Sequence, residues 1–407
     1  MTPQEIVIKY INKVYKNGLT TTSGGNLSVK DADGNIYITP SGKDKGTLVA
    51  EDICKVTPTG EVIGKFAPSI ELPFHSLIYK LRPEINAVLH VHSPKIVSYT
   101  LINQVPEIQI SAHNFNTCGK IGFSLYDIPG SIDLGNQIAK FIAKGYDSVL
   151  MQNHGVVFVA DTMSNAYDRL ETLENTANIC LKARLLGKIK TLSTFSKPKI
   201  TSFEPYLLTA EETQVAKQIA LFTNRCYEHK YFLTNLGCIS CRVGENILIT
   251  PAEYDRSDFD YTKICVIKNG KCYNNSPDYD FKKHLDIYNK SKTNCIFASS
   301  PANIMAYAVT DSVLNSRILP ESYINMRDVI FADTEDDIAS LSEKTPVAIV
   351  RNKGAYTIGN TMIKAFDRLE VTEVTAGTLI DAKVLGDVYP ISETEINKII
   401  CTFKLEK

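Results

Sequence analysis

Apolar residues recur at helical spacing from the start of the chain. In MTPQEIVIKYINKVYKNG, Ile6, Ile8, Tyr10, Ile11 and Val14 form one stripe, Thr2-Pro3 opens the helix and Gly18 stops it. The spacing then shortens to that of strands. Leu27-Ser28-Val29 and Ile36-Tyr37-Ile38 flank the turn Asp33-Gly34-Asn35, which predicts a hairpin. A helix is expected over residues 69–81, with Ser69 as N-cap and Pro73 tolerated in the first turn. Strands are expected over residues 88–92, 148–152 and 156–160, and a long helix from Met163 into the Leu185 region. Between Gly187 and Tyr206 the period lapses into a Ser-, Thr-, Lys- and Pro-rich stretch. Residues 191–205 therefore read as a linker between a domain over 1–190 and another over 206–407.

After the linker the order of elements restarts. A second amphipathic helix spans residues 210–227. LTNLGCISCRVGENILITPAE restates TTSGGNLSVKDADGNIYITPSG, DFKKHLDIY restates ELPFHSLIY, and TNCIFASSP restates NAVLHVHSP. TMSNAYDRLETLENTA, from Thr162, faces TMIKAFDRLEVTEVTA, from Thr361, with Asp-Arg-Leu-Glu and Thr-Ala at equal spacing. The chain reads as a tandem duplication. Aligned through these motifs, His90 faces Phe297, His92 faces Ser299, His154 faces Lys353, Asn26 faces Cys238, and Ser41-Gly42 face Ala252-Glu253; Glu71 survives only as Asp280. The second copy is expected to keep the fold and lack the chemistry.

That chemistry is a metal site. Alternate residues on a strand share a face, so His90 and His92 point together, and His154, beside Gly155, can bring a third imidazole from elsewhere. Neutral imidazoles suit zinc and other borderline divalent ions, and three protein ligands leave a position open for substrate. An ion so held stabilises an enediolate, and Glu71 is the natural proton carrier. Taken singly, an HxH or an NHG is more often structural, and Glu71 could simply complement a helix dipole. Their joint loss in the second copy is what favours chemistry. TSGGNLS has the form of an anion loop: Gly24 and Gly25 allow close backbone approach, and Ser23 and Asn26 can donate hydrogen bonds. TPSG, over residues 39–42, offers another hydroxyl and another close backbone.

The GNLS, TPSG, P-S-x-E, HVHS and NHG series, in this order and spacing, resembles the class II aldolase/adducin family. The likeness is strong over residues 1–190 and decayed over 206–390. It implies an α/β/α layered fold around a mainly antiparallel central sheet, in two tandem copies. It also implies zinc, or another divalent metal, on His90, His92 and His154, acid/base chemistry at Glu71, and phosphate binding around Ser23, Gly25, Asn26, Ser41, Gly42 and Ser69. The activity it implies is reversible aldol cleavage of a sugar or sugar-phosphate. Epimerisation or decarboxylation at the same site is the alternative enzyme reading, and an adducin-like interaction protein the non-catalytic one. Two departures stand out. Phosphate-using relatives commonly carry Ser-Ser where this chain has Ser69-Ile70, and the tyrosine that such aldolases take from a neighbouring subunit has no certain counterpart. His113 and Tyr126 are the candidates, with a structural role favoured for both. Fourfold assembly in the family implies a homodimer of this chain, forming a pseudo-fourfold ring of domains.

Composition narrows the partners. With 407 residues the chain exceeds one ordinary core, and 44% hydrophobic and 22% charged residues are those of a globular protein. A net charge of -1 and the lack of any long Lys/Arg run argue against nucleic acid or a membrane surface as partner. The N-terminal segment lacks the apolar core of a signal peptide and no stretch reaches a membrane-spanning length. Ten scattered cysteines read as reduced thiols, so a cytoplasmic location is expected. Cys238 and Cys241 form a lone CxxC, for which zinc binding is disfavoured.

Overall fold

A computed structural model describes residues 1–193, 203–252, 254–335 and 337–405. Residues 194–202 of the expected linker lie outside the described residues. The first series of elements is α1 (Pro3–Lys16), β1 (Asn26–Lys30), β2 (Ile36–Ile38), β3 (Cys54–Val56), β4 (Val62–Ile63), α2 (Leu72–Leu81), β5 (Ala87–Val91), α3 (Pro94–Thr100), α4 (Ala112–Cys118), β6 (Ile121–Ser124), α5 (Ile132–Ile142), β7 (Ser148–Met151), β8 (Val156–Ala160) and α6 (Met163–Leu186). The second is α7 (Ala210–Glu228), β9 (Cys238–Val243), β10 (Asn246–Ile249), β11 (Cys265–Lys268), β12 (Lys271–Tyr273), α8 (Phe281–Lys290), β13 (Cys295–Ser299), α9 (Ala302–Ala308), α10 (Pro320–Met326), β14 (Ile330–Ala332), β15 (Val347–Val350), β16 (Gly354–Gly359), α11 (Met362–Leu385) and α12 (Glu393–Thr402). The chain divides into two compact units, residues 1–108 with 114–178, and residues 109–113 with 179–407.

Each unit is built on one eight-stranded sheet. The orders are β4-β3-β2-β1-β5-β8-β7-β6 and β12-β11-β10-β9-β13-β16-β15-β14, which are the same permutation. Every pairing is antiparallel except β6 with β7 and its counterpart β14 with β15. The expected layered, mainly antiparallel fold in two copies is thus what the chain adopts. Thr2 caps α1 in a capping box with Glu5, a device worth about 1 kcal/mol. In the first unit α2 and α5 bury Phe74, Ile78, Leu134 and Ile138 against Ile36, Ile38, Val88, Val149 and Val157 of the sheet. The second unit has no counterpart of α5 among its described residues; Ile338 and Leu341, on and beside a single 3-10 turn, fill that face.

Two expectations need correction. Helix α2 begins at Leu72, not Ser69. The Ser69 hydroxyl accepts from the Glu71 N–H (3.2 Å), and the Ser69 N–H bonds Thr39 O (3.2 Å), so this segment is a turn pinned to the TPSG loop. The second correction concerns the repeat. In β5, Ala87 pairs with Ala160 and His90 with Asn26; in β13, Cys295 pairs with Gly359 and Ala298 with Cys238. The structural counterpart of His90 is therefore Ala298, not Phe297, and that of His92 is Ser300, not Ser299. The matching prolines misled the alignment, because Pro94 is the first helical residue of α3 whereas Pro301 is the N-cap of α9. A one-residue slip reverses every face of a strand. Phe297 accordingly packs on the opposite face, against Phe222 and Phe366.

Candidate active site

The site lies where β5 ends, at the rim of the α2/α5 face. His90 shares the face of Val88, and His92 follows one residue past the strand. His154 sits in the turn between β7 and β8. Asn153 just before it is left-handed (φ 55°), a conformation asparagine tolerates. Gly155 is required by space: a Cβ there would lie 2.5 Å from Val91 O and 2.8 Å from the His92 ring. Gly25 has φ +66°, and a Cβ would meet His90 O at 2.6 Å. These glycines let the TSGGN loop and the NHG turn close around the two strand histidines.

The three imidazoles converge. Their ligand atoms all lie within 4.8 Å of one another, and the ring centroids are 4.9–5.1 Å apart. His90 Nδ1 faces Val156 O at 3.0 Å. A carbonyl only accepts, so Nδ1 carries the proton and Nε2 presents its lone pair inward. His90 Nε2 is 3.2 Å from His92 Nε2. Two nitrogens on one tetrahedral zinc are roughly 3.3 Å apart, from Zn–N bonds of about 2.0–2.1 Å. Burial, and after it the neighbouring His92, push His90 down to about 3; burial, then His90, takes His154 down to about 4; burial also lowers His92. All three rings are thus neutral near pH 7, the form that ligates.

Glu71 completes the cluster. It occupies the N-cap position of α2 but makes no side-chain capping bond. Its carboxylate instead turns to the histidines: Oε2 lies 3.2 Å from His90 Nε2 and Oε1 3.8 Å from His154 Nε2. Asn26 Nδ2 donates to Oε2 at 2.6 Å, while Oε1 is buried with no hydrogen-bond partner. Inward lone pairs and an unpartnered buried carboxylate oxygen are a donor set that a divalent cation fits.

A supporting chain runs behind Glu71 that sequence reasoning missed. Asn26 Oδ1 accepts from His75 Nε2 (2.6 Å), and Ser28 Oγ lies 2.7 Å from His75 Nδ1 and 2.8 Å from Tyr79 Oη. The spacing of Ser28, His75 and Tyr79 on β1 and α2 carries the signal. It recurs in the second unit as Ser240, His284 and Tyr288, with Ser240 Oγ at 2.7 and 2.9 Å from its partners. There Cys238 replaces Asn26, and His284 Nε2 is buried without a partner.

The other expected residues divide. Ser69 and Asn26 are buried, but Asn26 spends Oδ1 and an Nδ2 hydrogen on His75 and Glu71. Ser23 and Gly42 are exposed and Ser41 is half-buried; the Ser41 N–H bonds Ala67 O, and Gly42 opens onto free space. Lys45, which no periodicity marked, is buried under these loops, with its N–H on Thr22 O (2.8 Å) and Nζ on Pro40 O (3.4 Å). Tyr126 is exposed after β6, and His113 is half-buried on α4. Cys238 and Cys241 are three apart on β9 and so face opposite sides; Cys241 Sγ meets Cys295 Sγ at 2.8 Å.

Comparison with known proteins points to one family. The sequence model of the family described as Class II Aldolase and Adducin N-terminal domain matches twice, over residues 5–181 and 217–380. The L-fuculose phosphate aldolase of Methanocaldococcus jannaschii is 35% identical over 181 residues, 44% of this chain and 97% of that protein. The 3-oxo-tetronate 4-phosphate decarboxylase of Pectobacterium atrosepticum is 34% identical over 178 residues, 42% of this chain and 81% of that protein. A solved L-fuculose 1-phosphate aldolase aligns with TM-score 0.43 and 31% identity, covering 47% of this chain and 90% of its own. The chain belongs to the class II aldolase and adducin N-terminal domain family, and it carries the family's domain twice.

Proposed function

We propose that the first unit is a divalent-metal-dependent carbon–carbon lyase acting on a phosphorylated hydroxy-ketone by retro-aldol cleavage. The observation that supports this reading is the convergence of His90, His92 and His154 on one another beside the Glu71 carboxylate, whose Oε1 is buried without a hydrogen-bond partner. The three histidines would hold the ion. When bound, it supplies Lewis-acid stabilisation of negative charge on the carbonyl and neighbouring oxygen of the substrate. Zinc is the expected ion for three neutral imidazoles.

Glu71 is the proton carrier in this reading. Cleavage removes the proton of the hydroxyl that becomes the aldehyde, breaks the carbon–carbon bond, and leaves the electron pair on the carbon next to the carbonyl. A proton then returns to that carbon. Asn26, fixed through His75 and Ser28, holds one Glu71 oxygen and leaves the other free. That is the arrangement a carboxylate needs to accept and return a proton at one atom. Burial on β5 and α2 keeps bulk water from competing.

Decarboxylation is the second reading, favoured by the 34% identity to a decarboxylase. It develops the same carbanion, with carbon dioxide leaving instead of an aldehyde. The test is to incubate metal-loaded protein with L-fuculose 1-phosphate and, separately, 3-oxo-tetronate 4-phosphate, following products by mass spectrometry. The aldolase reading expects dihydroxyacetone phosphate and an aldehyde. Carbon dioxide from the keto acid alone moves the assignment to the second reading. Full metal occupancy with no turnover of any phosphorylated ketose or keto acid would remove both.

A further inference from the structure

The two units can be compared position by position through equivalent hydrogen bonds. Lys45 donates its N–H to Thr22 O (2.8 Å) as Arg256 does to Thr234 O (2.9 Å). Ser69 donates its N–H to Thr39 O (3.2 Å) as Asp278 does to Thr250 O (3.1 Å). The Ser69 hydroxyl accepts the Glu71 N–H, and Asp278 Oδ1 accepts the Asp280 N–H, each at 3.2 Å. Lys45 therefore corresponds to Arg256, Ser69 to Asp278, and Glu71 to Asp280.

In the second unit every one of these charges is paired. The guanidinium of Arg256, fully buried, bonds Gly237 O (3.0 Å), Tyr254 O (2.8 Å) and the Asp278 carboxylate (3.1 Å). Lys353, at the position of His154, bonds Asp280 Oδ1 (2.6 Å) and Glu335, which also accepts from Tyr356 Oη (2.8 Å). In the first unit Lys45 is only 1% exposed, its Nζ reaches one carbonyl at 3.4 Å, and burial is the cause that acts on its charge. Ser69, where the second unit has a carboxylate, offers a hydroxyl. An ammonium buried without a counter-charge costs several kcal/mol.

We infer that Lys45 is the buried counter-charge for the phosphate monoester of the substrate, and that the second unit holds both ligand charges in its own side chains, Asp278 for the phosphate and Lys353 for the cation. Phosphate rather than carboxylate follows from the donors gathered there. The Ser23 and Ser41 hydroxyls lie on the two loops whose carbonyls Lys45 bonds, and Ser69 lies on the turn pinned to the second of them. Thr20 Oγ1, buried and without a partner, sits 3.0 Å from where a Gly25 Cβ would be. Three phosphate oxygens can use such a set; two carboxylate oxygens cannot. Lys45 also supplies the interaction that Ile70, standing where relatives carry a second serine, does not. This deepens the proposed function and rests on its placement of substrate in the first unit.

The probe is inorganic phosphate, titrated calorimetrically into the full-length, metal-loaded chain, with acetate as comparator. Wild type is expected to bind one phosphate per chain, and acetate at least tenfold more weakly. Lys45→Met should weaken phosphate at least tenfold, and Lys45→Arg should keep it within a few-fold. Unchanged affinity in Lys45→Met, two phosphates per wild-type chain, or acetate binding as tightly as phosphate would each overturn the inference. Thermal melting separates binding from folding. Lys45→Met should melt no lower than wild type, since it removes an unpaired charge, whereas Arg256→Met should melt several degrees lower, since it strands Asp278. The opposite order contradicts the inference. Metal content separates the two proposals: a wild type that takes no metal strikes the lyase reading, and a metal-loaded wild type that takes no phosphate strikes Lys45 alone.

Discussion

At the scale of single residues, hydrogen-bond direction decides the site. Val156 O fixes which His90 nitrogen is protonated, and Asn26 fixes which Glu71 oxygen is free. Replacing Glu71 by Gln keeps the shape and removes the proton acceptor. Turnover should fall by about 10²–10⁴-fold with metal content unchanged, as loss of a general acid/base does. Equal loss of metal and turnover would make Glu71 a ligand instead. The imidazoles give a pH prediction as well. Burial, then Lys353, pushes His284 down to about 3 from an unfolded value near 6.5. Between those values the unfolded chain binds the extra proton, so stability is full above 6.5 and falls as pH drops toward 3. His284→Gln should therefore shrink the difference in unfolding free energy between pH 7.5 and 5.0, by on the order of 1–2 kcal/mol. An unaltered difference would refute the assignment.

The histidines and Glu71 were legible in the sequence because their spacing is itself chemical: i, i+2 on a strand, and a turn after a strand. In the sequence Asn26 reads only as an anion donor, because its engagement with Glu71 depends on pairing β1 with β5, a non-local fact. Lys45 gave no signal, since a single lysine in a polar loop is indistinguishable from a solvated one.

At the scale of elements, strand register governs what the site can be. The α and β elements were readable from periodicity and turn residues, including the hairpin and the long α6. What periodicity lacked was the start of α2 and the register of β13, both set by proline positions and pairings to distant strands. Gly155 shows how little slack remains. Gly155→Ala places a methyl where Val91 O and the His92 ring already are, so metal affinity should drop about 10–100-fold, the range seen when support of a ligand is lost. Unchanged affinity by competition with a chelating dye would show that the β5–β8 end yields. Glu174 acts at the same scale. Its carboxylate accepts from Lys95 N and Ile96 N (2.9–3.1 Å) at the start of α3, as Glu373 does for α9, and so holds the segment that follows His92.

At the scale of the whole molecule, one fold appears twice with its charges supplied differently. Where the first unit has His154, Glu71, Ser69 and Lys45, the second has Lys353, Asp280, Asp278 and Arg256, with Lys353 paired to Asp280 and Arg256 to Asp278. Among the described residues no helix is long and apolar enough to cross a membrane. The homodimer expected from the family predicts a solution mass twice the 45.2 kDa of one chain by light scattering; a stable, fully active monomer would exclude it.

The most direct measurement is metal stoichiometry by elemental analysis on wild type, His92→Ala and Lys353→Ala. The account predicts one divalent transition metal per wild-type chain, none in His92→Ala, and one in Lys353→Ala. No metal in the wild type, or equal loss in both variants, would contradict it.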